Sequence, residues 1–337
     1  MEDQRTFSIV SLAALHEFLA QSRSSLWFGA LSFEQRCSGS LIALQRAQIR
    51  ITRGVLLNYD TNIRLSIEAE QQRNSNWGDI TELSENVFAS GIGKRSVAAY
   101  GFMEFQEKLE QEVWAADVDL VVFDITCLTK IHTLALAASL PRCPRPVRWA
   151  LAYTIPENYA SLGEAPDQSP GWADIIVAPL GETASLFNEA SGRGVIIPGH
   201  EADRLVVGLA EIEPAGGLIA IAETRQRPDL RHISERRNQT VIRQLTRMRA
   251  SNWVKHLVGV TALSSMMRLV RDEIKKARAH RAPVILFPYG PKPLLFVSAF
   301  VLAGEYPEAS WFVYPIPWSY DVPYSEGNGG TLWVVPT

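Results

Sequence analysis

Short, continuous apolar runs that end in a polar turn recur along this chain, and they narrow its fold more than any other feature. The runs at 26–31, 54–60 (GVLLNYD), 119–125 (DLVVFDI) and 147–154 (VRWALAYT) lack apolar–polar alternation, so both of their faces are buried. Strands buried on both faces belong to a parallel sheet covered by helices, and the helix-prone stretches SLAALHEFLAQ (11–21), LIALQRA and HTLALAASL supply the cover. The pattern restarts with GGLIAIAE (216–223), VILFPYG (284–290), SWFVYPIP (310–317) and TLWVVP (331–336), with helices expected at 201–212, 234–250, 261–280 and 293–303. We therefore expect an α/β chain of two Rossmann-like units with mostly parallel sheets packed side by side, residues 1–200 forming the first and 201–337 the second. ADIIVAP (173–179) and GVIIPG (194–199) are expected to extend the first sheet. The segment 161–172 reads as a loop or lid, 64–95 as a polar stretch without clear period, and 97–114 as a helix.

Composition removes several classes. With 337 residues, 47% of them hydrophobic and 20% charged, the chain is neither disordered nor fibrous. Its apolar runs fall short of the roughly 20 residues a spanning helix needs, and Glu2 and Asp3 stand where a signal peptide is basic. A cytoplasmic protein without membrane contact is expected. Cys37, Cys127 and Cys143 are odd in number and widely spaced, which points to neither a disulfide framework nor zinc, and no cofactor is called for. The net charge of -3 hides an asymmetry: 225–281 holds fifteen Lys or Arg against four acids, a local balance of +11. Such a segment fits an anionic partner, whether nucleotide, phosphate or nucleic acid, and fits solvated helix faces equally well. Arg231, Arg236 and Arg237 open its first helix as a candidate phosphate clamp.

The most informative feature is an approximate repeat. VVFDITCLTKIHTLALAASL (121–140) and VILFPYGPKPLLFVSAFVLAG (284–304) both run from a buried strand through a turn into a helix that begins near a lysine, Lys130 and Lys292. Tyr153 and Tyr314 follow these lysines at nearly equal spacing. Open α/β sheets bind ligands at the carboxyl ends of their strands, and free N–H groups at a helix start favour an anion there.

The string Asp124-Ile125-Thr126-Cys127-Leu128-Thr129-Lys130 resembles the Thr-Gly-Gly-Thr-Lys turn of the CRISPR-associated Rossmann-fold (CARF) sensors, and Tyr289-Gly290-Pro291-Lys292-Pro293 is a looser echo. In those sensors and the related SAVED domains the turn lies under a cyclic oligonucleotide. The resemblance implies that Thr126, Thr129, Lys130, Gly290 and Lys292 touch phosphate or ribose. It also implies a role in bacterial antiphage immunity. Cys127-Leu128 departs from the paired glycines of the motif. In the aromatic tail, Tyr314 and Trp318 are candidates to stack on a base, since Pro315, Pro317 and Pro323 argue against regular central-strand pairing.

Other clusters admit both a functional and a structural reading. Ser32, Glu34, Arg36 and Cys37 gather after the first strand, where Ser32 and Gln35 form a capping-box pattern and Cys37 is either buried or a reactive thiol. His200 and Arg204 share a helix start but lack the partners of a metal site. The leading expectation is a sensor or regulatory subunit that takes a nucleotide-like anion in the cleft between its halves and acts through a separate effector or as a homo-oligomer. The alternatives are a nucleotide or phosphodiester-processing enzyme, with Glu34, Asp124 or Glu223 as base, and a nucleic-acid-binding assembly subunit that uses 225–281.

Overall fold

The computed structural model describes residues 6–60, 65–145, 147–159, 171–181, 192–223, 234–247, 252–318 and 325–337. In chain order the strands are β1 (Phe7–Val10), β2 (Ser25–Leu31), β3 (Arg53–Asp60), β4 (Ile92–Ala98), β5 (Leu120–Asp124), β6 (Arg148–Thr154), β7 (Asn158–Tyr159), β8 (Trp172–Pro179), β9 (Arg193–Ile197), β10 (Gly216–Glu223), β11 (Asn252–Gly259), β12 (Val284–Pro288), β13 (Ser310–Pro317), β14 (Ser325–Glu326) and β15 (Thr331–Pro336). The helices are α1 (Leu12–Ala20), α2 (Gly39–Arg46), α3 (Ile67–Val87), α4 (Phe102–Leu109), α5 (Lys130–Ser139), α6 (Ala202–Glu211), α7 (Gln239–Arg247), α8 (Leu263–His280) and α9 (Lys292–Glu305). No described helix is long and apolar enough to cross a membrane.

The chain divides into two compact units, one of Met1–His132, Cys143–Gln168 and Ser319–Thr337, the other of Thr133–Arg142 and Ser169–Trp318. The first unit is built on a seven-stranded sheet in the order β1-β15-β6-β5-β2-β3-β4. From β6 to β4 all neighbours are parallel, and β15 and β1 add antiparallel strands at one edge. The second unit carries a six-stranded sheet, β11-β10-β9-β12-β13-β8, parallel except for β8. Counted from the first parallel strand, both sheets have the order 3-2-1-4-5, the doubly wound arrangement expected of a Rossmann-like unit. The cores are the expected runs: every residue of β2, β5 and β12 is buried.

Several elements differ from the sequence expectation. The stretch 64–95 contains α3 and most of β4. Along α3 the buried positions are Ala69, Asn76, Ile80, Ser84 and Val87, a helical stripe that two polar side chains keep out of a hydrophobicity pattern. β4 is an edge strand whose Lys94, Arg95 and Ser96 are exposed, so only its last residues look like core, and the expected helix 97–114 begins at Phe102 instead. β11, strand three and the edge of the other sheet, went unread for the same reason: Trp253 and Val258 are buried while its other residues are not.

Strand membership also departs. β8 and β9, expected to extend the first sheet, belong to the second, where β9 is central and β10 is second and not first. β15, expected in the second sheet, pairs with β1 and β6 in the first. Apolar content identifies a strand but not the partner it crosses to. Ser32 does not cap a following α-helix: its Oγ accepts the Glu34 N–H at 3.4 Å, and α2 starts only at Gly39.

Candidate functional site

In a 3-2-1-4-5 sheet the chain leaves strands one and four in opposite directions, which opens a crevice beyond their carboxyl ends. In the first unit that place lies beyond β2 and β5, and in the second beyond β9 and β12.

The turn after β5 is held from within. Asp124, 2% exposed, accepts the Thr126 N–H at 2.9 Å on one carboxylate oxygen and the Ser40 hydroxyl on the other. Thr126 is fully buried, and its Oγ1 accepts the Thr154 N–H from β6 at 2.9 Å. Thr129 caps α5, its Oγ1 accepting the His132 N–H at 3.1 Å. The Tyr59 hydroxyl receives the Thr129 N–H at 3.1 Å and donates to the Cys127 carbonyl at 3.2 Å. Lys130, half-buried, is the first helical residue. None of residues 126–129 has a positive φ, so Cys127 and Leu128, both buried, meet no backbone demand for glycine.

The facing lip follows β2. Glu34 and Arg36, both buried, form an ion pair with Nε to Oε2 at 2.6 Å. Arg36 Nη1 also donates to the Tyr153 hydroxyl at 3.2 Å and the Thr154 carbonyl at 2.9 Å, and its guanidinium stands 5.4 Å from the Tyr153 ring centre. Asn76 of α3 secures this lip by donating to the Ser32 and Glu34 carbonyls at 2.7 and 2.9 Å. Cys37 is a buried thiol that donates to the Ala30 carbonyl at 3.3 Å.

The second unit repeats the plan. Gly290 is required for space: a Cβ there would stand 2.5 Å from Ile197 Cγ2, at the end of β9. Lys292 is the first residue of α9 and is 8% exposed. Lys292 thus stands at the positive end of a helix whose next eleven residues are all buried. On the other lip Arg204 pairs with Glu201 at 2.9 Å and donates from Nη1 to the Tyr314 hydroxyl at 3.1 Å. Its guanidinium lies 5.2 Å from the Tyr314 ring and 5.1 Å from that of Trp172. A helical turn at 234–238 closes onto this lip. Ser234 Oγ and Asn238 Nδ2 donate to the Gly199 carbonyl at 3.1 and 2.9 Å, and Arg237 Nη1 donates to the His200 carbonyl at 3.2 Å.

These placements sort the sequence candidates. Thr129 and Lys130 stand together at one helix start, and Gly290 and Lys292 at the other. Thr126 is a wholly buried tie between β5 and β6. Tyr314, 1% exposed with its face toward Arg204, has no free face for a base to stack on, whereas Trp318 is 63% exposed. Pro315 and Pro317 are strand residues after all. β13 pairs with β12 only through Ser310–Phe312, so both prolines lie beyond that ladder and face β8 on the other side. Of the proposed clamp, Arg237 reaches the second lip, Arg236 is exposed, and Arg231 lies outside the described residues. The candidate bases Glu34 and Asp124 are engaged as described, and Glu223 ends β10 half-buried.

Sequence reasoning noticed Arg36, Arg204, Tyr153 and Tyr314 separately but not their pairing. The residues lie 117 and 110 positions apart. The one available signal was the near-equal spacing of each tyrosine from its lysine.

Part of the basic segment is paired within the fold. Lys255 pairs with Glu235, Arg271 with Glu305, Lys275 with Asp272 and Lys276 with Glu273, while Arg278 stacks on Tyr306. Glu235, Asp272 and Glu273 are already in the local count, so only Glu305, outside 225–281, lowers the balance of +11, and by one charge.

No protein-family model and no curated protein matches the chain. Among solved structures it is similar to a type III CRISPR defence DNA nuclease activated by cyclic oligoadenylate, with a TM-score of 0.53 at 10% identity over 86% of this chain and 65% of that one. The likeness is one of fold. It accompanies the resemblance to CARF sensors carried by the two turns. The chain spans 65% of that nuclease's length. Can2 of Sulfobacillus thermosulfidooxidans, solved with cyclic tetra-adenylate, aligns at a TM-score of 0.28 and 17% identity over 39% of this chain and 32% of that one. A universal stress protein of Archaeoglobus fulgidus aligns at 0.24 and 9% identity over 85% of this chain and 95% of its own.

Proposed function

We propose that this protein is a sensor of a cyclic oligonucleotide, of the cyclic oligoadenylate class, which binds at the carboxyl ends of its sheets. In this reading it acts in antiphage defence and passes the binding event to a separate effector. The observation that carries the proposal is the repetition: strand four of each 3-2-1-4-5 sheet leads into a buried helix whose first residue is a lysine, Lys130 or Lys292. Each helix start presents the positive end of its dipole. An ammonium group there adds a positive charge that favours an anion. A phosphodiester supplies that anion, and the chain offers one such position in each unit.

Binding is favoured over catalysis because the nearby acids are committed. Asp124 is engaged by Thr126 and Ser40, and Glu34 by Arg36. A general base must instead reach the proton it abstracts. The fold shared with a nuclease activated by cyclic oligoadenylate supports the ligand class.

A thermal-shift series with cyclic tri-, tetra- and hexa-adenylate, their linear forms and cyclic dinucleotides tests the reading. A ligand at 100 times its Kd stabilises by about 2.7 kcal/mol, a shift of several degrees. One cyclic oligoadenylate is expected to give that shift and to be recovered intact. A null response to every cyclic species, or cleavage of the bound one, contradicts it.

A further inference from the structure

Two glutamate–arginine pairs, both with a buried guanidinium, are left without a role by the sensor reading, and they occupy the same topological place. In each sheet the arginine comes from the segment after strand one and donates to a tyrosine hydroxyl on strand five, Arg36 to Tyr153 at 3.2 Å and Arg204 to Tyr314 at 3.1 Å. Strand four, β5 or β12, lies between those two strands in the sheet order. The lysine-bearing turn departs from the carboxyl end of that strand. Independent contacts tie each arginine to that turn. Arg36 donates to the carbonyl of Thr154, and Thr126 of the turn accepts the N–H of the same residue. Tyr314 packs against Tyr289, the residue that opens the second turn, with ring centres 6.3 Å apart.

Holding a loop in place does not require charge. A buried ion pair of this kind is replaceable by apolar residues at little cost, because desolvation offsets most of its attraction. Arg36 and Arg204 are nevertheless 2% and 3% exposed, and the same acid, cation and phenol recur in both units. A guanidinium cannot be discharged by burial, unlike an ammonium, and its field reaches further where water is excluded.

The geometry points to Arg36 and Arg204 as the fixed cations beneath two anion-holding turns, each masked in the empty state by its own carboxylate, Glu34 or Glu201. They are positioning residues, acting on the ligand through the field at the turn and not by contact. The identity of the ligand rests on the sensor reading; its negative charge does not.

Glu34→Gln and Glu201→Gln test this by sign. The amide keeps the shape and removes the mask, so affinity for inorganic pyrophosphate, measured by calorimetry on the full chain, is expected to rise roughly three- to tenfold while the melting temperature falls. A merely structural pair loses stability with affinity unchanged or lower, and that result in both variants overturns the proposal, as does absence of pyrophosphate binding in every form. Should the amide variants fail to fold, Tyr153→Phe and Tyr314→Phe keep ring and charge but release one guanidinium N–H from strand five. Their pyrophosphate affinity is then expected to drop about twofold or more, and an unchanged value overturns the assignment. Cyclic tetra-adenylate is titrated in parallel. If it binds no form while pyrophosphate affinity responds as stated, the ligand class falls and the masked cations stand. If it binds wild type while pyrophosphate ignores the variants, the reverse holds.

Discussion

The hydroxyl of Tyr59, at the end of β3, accepts the Thr129 N–H at 3.1 Å and donates to the Cys127 carbonyl at 3.2 Å, so one side chain clamps the whole turn that launches α5. Burial holds its ionisation well above the usual phenol range, so it stays a neutral donor and acceptor. Tyr59→Phe removes both of these hydrogen bonds. We expect a loss of about 1–3 kcal/mol in urea unfolding, together with weaker ligand binding. A variant as stable as wild type would remove Tyr59 from the account.

His132 is expected to make the first unit acid-labile. Its ring is fully buried, stacked on Phe105 at 4.5 Å, and desolvation lowers its pKa from 6.5 to about 3. The folded state therefore stays neutral while the unfolded chain takes up a proton below pH 6.5. Stability from this group is complete above pH 6.5. It falls by about 1.4 kcal/mol per pH unit toward pH 3, where the folded state protonates too and the loss levels off. His132→Phe is expected to flatten the stability profile between pH 6.5 and pH 4 relative to wild type. Parallel profiles would assign the acid loss to other groups.

Gly290 is set by space and not by φ. Gly290→Ala places a methyl group 2.5 Å from Ile197 Cγ2 and 3.3 Å from two carbonyl oxygens. The end of β12 must then move from β9, at a cost of about 1–3 kcal/mol. Chemical denaturation reads the loss, and the lysine that follows should lose its ligand affinity with it.

Much of this fold was legible because buried parallel strands announce themselves. β2, β3, β5, β6 and β12 read directly as apolar runs, as did the two lysine turns. The edge strands β4 and β11 did not, since they need only one apolar flank. The helix α3 was hidden because it buries Asn76 to hold two carbonyls instead of burying another apolar side chain. The membership of β8, β9 and β15 was misread because pairing is decided by crossovers, and a crossover leaves no mark on the strand it reaches. At the site, the lysines were visible from spacing, whereas Arg36 and Tyr153 meet only through the order of the sheet.

Lys130 carries the sensor reading in the first unit at little structural cost, being half-buried on the first turn of α5. Lys130→Ala is expected to leave the melting temperature within a degree or two of wild type while weakening ligand binding at least about tenfold. A large drop in melting temperature would instead make it a structural lysine.

The most direct test of the account is calorimetric titration of cyclic tetra- and hexa-adenylate into wild type, Lys130→Ala and Lys292→Ala. The account predicts that one cyclic species binds wild type and that each lysine variant loses affinity for it. Equal affinity in all three proteins, or no binding to wild type, would contradict it.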